Sequence, residues 1–137
     1  MEAGWPLERL VALAEGSPAA EICGLLVRRG EAEAEPWPIR NVSATPITAF
    51  ELAPGEVMGA LQRLDGTGMQ LVGIYHSHLA GGAALSARDL DGALADGRPV
   101  LPGVAQLVVA LESGRARLVR LHRWGGHGFE ATDLWWR

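Results

Sequence analysis

Two apolar runs, residues 22–27 and 104–111, constrain the fold of this chain more than any other feature. Each is strand-length, and neither approaches the roughly 20 residues that a membrane-crossing helix requires. A strand that is apolar at successive positions is buried on both faces, so these two belong inside a sheet that is covered on each side. Helical spacing supplies the covers. Pro6 opens a segment with Leu7, Leu10, Val11 and Ala14 on one face, stopped by Gly16-Ser17-Pro18. Pro54 opens a second with Val57, Leu61 and Leu64, stopped by Gly66-Thr67-Gly68. Residues 69–75 are again largely apolar, interrupted only by Gln70, and lead straight into His76-Ser77-His78, as a central strand ending in polar chemistry. Residues 34–39, broken by Pro36 and Pro38, and residues 47–52 read as edge-like strands. A glycine-rich loop over 79–85 precedes Ser86, which can cap a third helix through Leu90, Ala93 and Leu94. Residues 104–111 and 115–123 form a hairpin through Glu112-Ser113-Gly114. Strands interrupted by helices predict an α/β (α+β) sandwich, a mixed sheet flanked by helices. The stretch from Trp124 through Phe129 to Trp136 carries no clear pattern.

The chain has 137 residues, without repeats, charge blocks or low-complexity linkers, so one domain spanning 1–137 is expected. A domain of this size buries about 70% of the surface its unfolded chain exposes and needs no covalent staple. The single cysteine, Cys23, excludes an internal disulfide, and residues 1–5 show no basic patch followed by an apolar core. Together they predict a reducing cytoplasm. Sixteen acidic residues against 12 basic ones leave no electrostatic footprint for nucleic acid. Neither nucleic acid nor membrane is an expected partner.

The chemistry is concentrated around residue 76. Side chains two apart on a strand share a face, so His76 and His78 point at one place. Asp89, eleven residues after His78, can swing into the same place and add a hard oxygen. Two imidazoles and a carboxylate are the ligand set of a catalytic zinc, whose fourth position stays open to water and whose charge lowers that water's pKa toward about 7. A hydrolase also needs a proton acceptor. Glu21 stands at the mouth of the apolar run 22–27, where loss of solvent can raise a carboxyl pKa into the range of a general base.

Glu21, Gly73-Ile74-Tyr75-His76-Ser77-His78 and Ser86-Ala87-Arg88-Asp89 together resemble the JAMM (MPN-plus) family of zinc isopeptidases, whose signature is a glutamate, H-S/T-H, seven residues, then S-x-x-D. Arg40-Asn41-Val42 and Phe50-Glu51-Leu52 are also similar to short bacterial members. The H-x-H-x7-S-x2-D pattern arises by chance in about one in ten thousand shuffles of this composition. The resemblance implies a cytidine-deaminase-like mixed sheet, one Zn2+ held by His76, His78 and Asp89, and Glu21 shuttling the water proton to the leaving amine. It also implies that Ser86 stabilises the oxyanion. The implied substrate is the amide bond after the Gly-Gly tail of a ubiquitin-like or sulfur-carrier protein. Such an extended tail would add as a strand to a sheet edge, expected at residues 41–50. At 137 residues there is little room for the long insertions of ubiquitin-gripping relatives, which favours a small sulfur carrier. Many relatives carry proline where Leu79 and Leu85 stand. Their loss makes the loop more costly to order, by about 1 kcal/mol.

Plainer readings compete. Ser86-x-x-Asp89 is also an ordinary capping box. A non-catalytic scaffold of the same fold is the alternative function, but such members lose the ligands kept here. A zinc nucleoside deaminase would need a C-x-x-C pair that one cysteine cannot supply. His122, in an alternating strand, and His127, in a glycine loop, are expected at the surface. Asp91 is expected to face away from Asp89, and Cys23 to be a small core side chain. Trp135 and Trp136 fit either a core cover or the patch of a homodimer.

Overall fold

The computed structural model describes residues 4–136. Residues 1–3, part of the stretch read above for a leader, and Arg137 lie outside the described residues. The element order is α1 (Leu7–Glu15), β1 (Cys23–Arg29), β2 (Glu35–Ile39), α2 (Pro54–Leu64), β3 (Met69–His78), α3 (Ala87–Ala93), β4 (Leu94–Ala95), β5 (Arg98–Pro99), β6 (Ala105–Glu112), β7 (Arg115–Trp124) and β8 (Phe129–Leu134). Six strands form one sheet in the order β2-β1-β3-β6-β7-β8. Only β3 and β6 run parallel, while the other neighbours are antiparallel. The predicted mixed sheet is therefore present, with the chemistry-bearing strand β3 near its centre.

The two apolar runs lie inside the sheet as their composition requires, since β1 sits between β2 and β3 and β6 between β3 and β7. Leu10, Val11 and Ala14 of α1 pack with Leu26, Tyr75, Leu107, Val109 and Leu121 on one face. On the other face, Ala60 and Val57 of α2 pack with Leu25, Ile39 and Ile74. Leu10, Leu26 and Leu107 have no exposed surface, and each such side chain contributes about 1.5–3 kcal/mol by burial. Alternation along β3 thus sends Tyr75 toward α1 and Ile74 toward α2. At Gly24, opposite Tyr75 in the β1–β3 register, a Cβ would collide with the Tyr75 ring.

Three expectations are corrected, and the unassigned C-terminal stretch is resolved. Residues 47–52 are not a strand: an isolated bridge pairs Asn41 with Leu52, and the intervening chain is a loop organised by the Asn41 amide. Its Oδ1 accepts from Ser43 N and Glu51 N, both at 3.0 Å, and its Nδ2 donates to Glu21 O at 2.9 Å and Ala49 O at 3.1 Å. One side chain satisfying four backbone partners removes the need for ladder pairing. For the same reason residues 41–50 offer no sheet edge. The edges are β2, where Pro36 and Pro38 lie, and β8. The C-terminal stretch does hold a strand, β8, and β4–β5 form a small hairpin over Asp96-Gly97, both with positive φ. Finally, His122 is 5% exposed rather than at the surface, because the loop over 79–85 covers its face of β7. His127 and Asp91 are exposed and Cys23 is buried, as expected. Trp136 packs partly against the core, whereas Trp135 is 69% exposed. No helix among the described residues is long and apolar enough to cross a membrane.

Candidate metal centre

The end of β3 and the start of α3 bring three donor atoms together. His76 Nε2 and His78 Nε2 lie 3.1 Å apart, and Asp89 Oδ2 lies 3.1 Å from the first and 3.0 Å from the second. Four-coordinate zinc with bonds of about 2.0–2.1 Å places neighbouring ligands about 3.3–3.4 Å apart, so this triangle needs to open by only a few tenths of an ångström. All three residues are buried. His78 Nδ1 donates to Gly82 O at 2.9 Å, so a metal held in the triangle would meet the Nε2 lone pair. The His76 ring is held differently. It stacks on Phe50 at 4.2 Å between centroids and 24° between planes, and its Nδ1 is buried with no hydrogen-bond partner.

Asp89 reaches the triangle because it occupies the third position of α3. Ser86 Oγ accepts from Asp89 N at 3.0 Å, and Ser86 N donates to Asp89 Oδ2 at 2.9 Å, the reciprocal capping box expected of this spacing. The cap and the cluster share one carboxylate. Burial alone would raise the Asp89 pKa, but hydrogen bonds from His76 and His78 hold it well below the usual carboxylate range. Burial lowers the pKa of His76. It also opposes the charged form of His78, whose bonds to Asp89 and Gly82 outweigh it and raise that pKa.

Glu21 stands slightly back. A carboxylate oxygen of Glu21 and one nitrogen from each of His76 and His78 lie within 4.8 Å of one another, a looser group than the histidine–Asp89 triangle. Its Oε1 is buried with no hydrogen-bond partner. Burial pushes its pKa up to about 7, opposed by the charge of His78 and reinforced by that of Asp89. The main chain here is pinned on both sides. Glu21 N donates to Pro46 O at 2.8 Å and Ile22 N to Ser77 Oγ at 2.9 Å, while Glu21 O accepts from Asn41. The middle residue of His76-Ser77-His78 therefore ties the carboxylate's own strand to the histidine strand.

Glu21, His78 and Ser86 line a cavity of about 360 Å³ with Ile47, Thr48 and Leu79. Beyond Asp89, a second cavity of about 250 Å³ is lined by Phe50, Arg88 and Gln106. The structure thus brings Glu21, His76, His78, Ser86 and Asp89 to one place. Ser77, Asn41 and Phe50 also shape it, and they escaped the sequence reading of roles. For Ser77 the signal was a hydroxyl on the face opposite two histidines. For Asn41 it was an amide, a residue type that bonds its own backbone, at the head of a turn.

The chain is also similar to known proteins. Residues 6–122 match the family described as prokaryotic homologs of the JAB domain. A desampylase from Haloferax volcanii is 34% identical over 123 residues, covering 88% of this chain and 81% of its own. A probable TtuB-protein conjugate cleaving protease from Thermus thermophilus is 40% identical over 67 residues, 49% of this chain and 45% of its own. A solution structure from Desulfitobacterium hafniense superposes with a TM-score of 0.69 at 26% identity, covering 92% of this chain and 84% of the other. Taken with the match over residues 6–122, this means that the chain belongs to the prokaryotic JAB-domain family.

Proposed function

We propose that the protein is a zinc-dependent isopeptidase or peptidase that hydrolyses the amide bond after the C-terminal Gly-Gly tail of a ubiquitin-like or sulfur-carrier protein. The observation that carries this reading is the closed triangle of His76, His78 and Asp89 with a desolvated carboxylate, Glu21, standing just outside it. The donor set and its spacing fit one Zn2+. Bound there, the ion supplies Lewis acidity toward water and toward the scissile carbonyl.

The rest is the work of this chain's own residues. Glu21, held up to about 7 by burial, takes a proton as the water oxygen attacks the carbonyl carbon. It returns that proton to the departing nitrogen as the C–N bond breaks, giving a carboxylic acid and a free amine. The Ser86 hydroxyl accepts from Asp89 N, so its own hydrogen remains for the oxyanion. Ile47 and Thr48 flank Glu21 in the cavity, so the extended tail lies along this loop rather than on a sheet edge. The names of the Haloferax and Thermus relatives, a desampylase and a conjugate cleaving protease, support a protein conjugate as substrate. The single buried thiol fits a cytoplasmic protein.

A non-catalytic scaffold would have no use for three donors in bonding register beside a buried carboxylate oxygen with no hydrogen-bond partner. The test is incubation of the purified protein with a Gly-Gly-tailed carrier bearing a C-terminal amide adduct, with and without chelator. Release of the adduct that stops on chelation and returns with Zn2+ is expected. An intact adduct in the presence of stoichiometrically bound zinc overturns the hydrolase.

A further inference from the structure

His122 is 33 residues downstream of Asp89 in no recognisable motif, yet its side chain reaches into the surroundings of the centre. Its Nε2 donates to Ala83 O at 2.9 Å from strand β7, one strand beyond β6 in the sheet. The preceding carbonyl, Gly82 O, accepts from His78 Nδ1 at the same distance. Two successive carbonyls of the loop over 79–85 are thus fastened by two histidines, one within the triangle and one outside it. The Ala83 side chain completes the attachment: it is 2% exposed and packs on Val108 and Ala110.

This loop needs fastening. Gly81 and Gly82 have φ of +87° and +85°, a region that only glycine adopts freely, and no proline stiffens either end. Leu79, Ala80, Gly81 and Leu85 wall the cavity that contains Glu21 and Ser86, so their placement sets its shape. If Ala83 O lost its donor, a buried carbonyl would stand unpaired. The loop could then relieve it only by moving outward, and Gly82 O would leave His78 Nδ1 with it. Burial lowers the His122 pKa, which keeps the ring neutral with one nitrogen protonated.

We propose that His122 is a positioning residue: by holding Ala83 O it fixes the loop over 79–85, and through Gly82 O it orients the His78 ring toward the metal. The inference deepens the hydrolase reading above, but its first readout needs no activity. The experiment compares wild-type protein with His122→Phe, which fills the space without a donor, and His122→Gln, whose amide nitrogen can replace Nε2. In metal-free protein, hydrogen exchange of the 79–85 amides is expected to accelerate at least 10-fold in H122F, with the amides of β1 and β6 unchanged, and to return toward wild type in H122Q. Affinity for Zn2+ alone, measured by chelator competition, is expected to fall about 10-fold or more in H122F and to recover in H122Q. If H122F does not fold, His122→Asn, polar but too short to reach Ala83, takes its place. Wild-type loop exchange and wild-type zinc affinity in a folded donor-less variant overturn the proposal. A protein without cleavage activity but with these exchange and affinity changes overturns the hydrolase reading and leaves the tether standing.

Discussion

Glu21 is a case of one side chain pulled in two directions. Its burial raises the carboxyl pKa to about 7, so in the metal-free fold it holds its proton more tightly than in the unfolded chain. Its contribution to stability is therefore complete below the ordinary carboxylate pKa and is lost as pH rises toward 7. Glu21→Gln removes that penalty. The variant is expected to melt a few degrees above wild type at pH 8 when metal-free, to bind zinc as wild type does, and to lose cleavage by about 10²–10⁴-fold. Calorimetry, metal analysis and a cleavage assay read the three effects, and retained cleavage would remove Glu21 from the mechanism. As a base it must be ionised, so wild-type kcat/KM is expected to fall on acidification. The midpoint should lie at or below about 7, since a bound dication favours the charged form. A profile flat down to pH 5 contradicts the assignment. At this scale much was legible: the two-residue spacing of His76 and His78 on a strand predicts their convergence, and the chain delivers Nε2 atoms 3.1 Å apart. The burial of His122 was not, because alternation along β7 tells which face it occupies and nothing of a loop arriving from 39 residues away.

Among the elements, α3 joins folding to chemistry. It has seven residues, too few to be stable alone, and its first turn is closed by the same carboxylate that completes the triangle. Ser86→Ala deletes one half of the capping box and is expected to cost about 1 kcal/mol of stability. If the hydroxyl also serves the oxyanion, kcat falls about 10²–10³-fold with zinc content unchanged. Denaturant unfolding and steady-state kinetics separate the two effects. A loss of stability without loss of kcat reduces Ser86 to a cap. Helices α1 and α2 and the long strands could be read from apolar spacing because each presents one continuous face to the sheet. Residues 47–52 could not, since strand-like composition was overruled by Asn41, whose amide replaces a ladder. The β4–β5 hairpin had its signal in Asp96-Gly97, a pair suited to two consecutive positive φ values.

For the molecule as a whole, donors from β3 and α3 are clamped together only in the native topology, so metal binding is coupled to global stability. Zinc at 100 times its dissociation constant is expected to raise stability by about 2.7 kcal/mol, and a chelator to abolish the increment. Thermal melts with and without chelator measure it. An identical melting temperature in both, with zinc shown to be bound, would mean that the unfolded chain holds the ion equally well. The two rims of the sheet also differ. Pro36 and Pro38 deprive β2 of outward donors, whereas β8 keeps its full set of backbone groups and relies on Glu130 and Asp133 for protection. Crowded solutions of this protein should thus clump from the C-terminal rim, and replacing those two carboxylates with neutral amides should be what starts it.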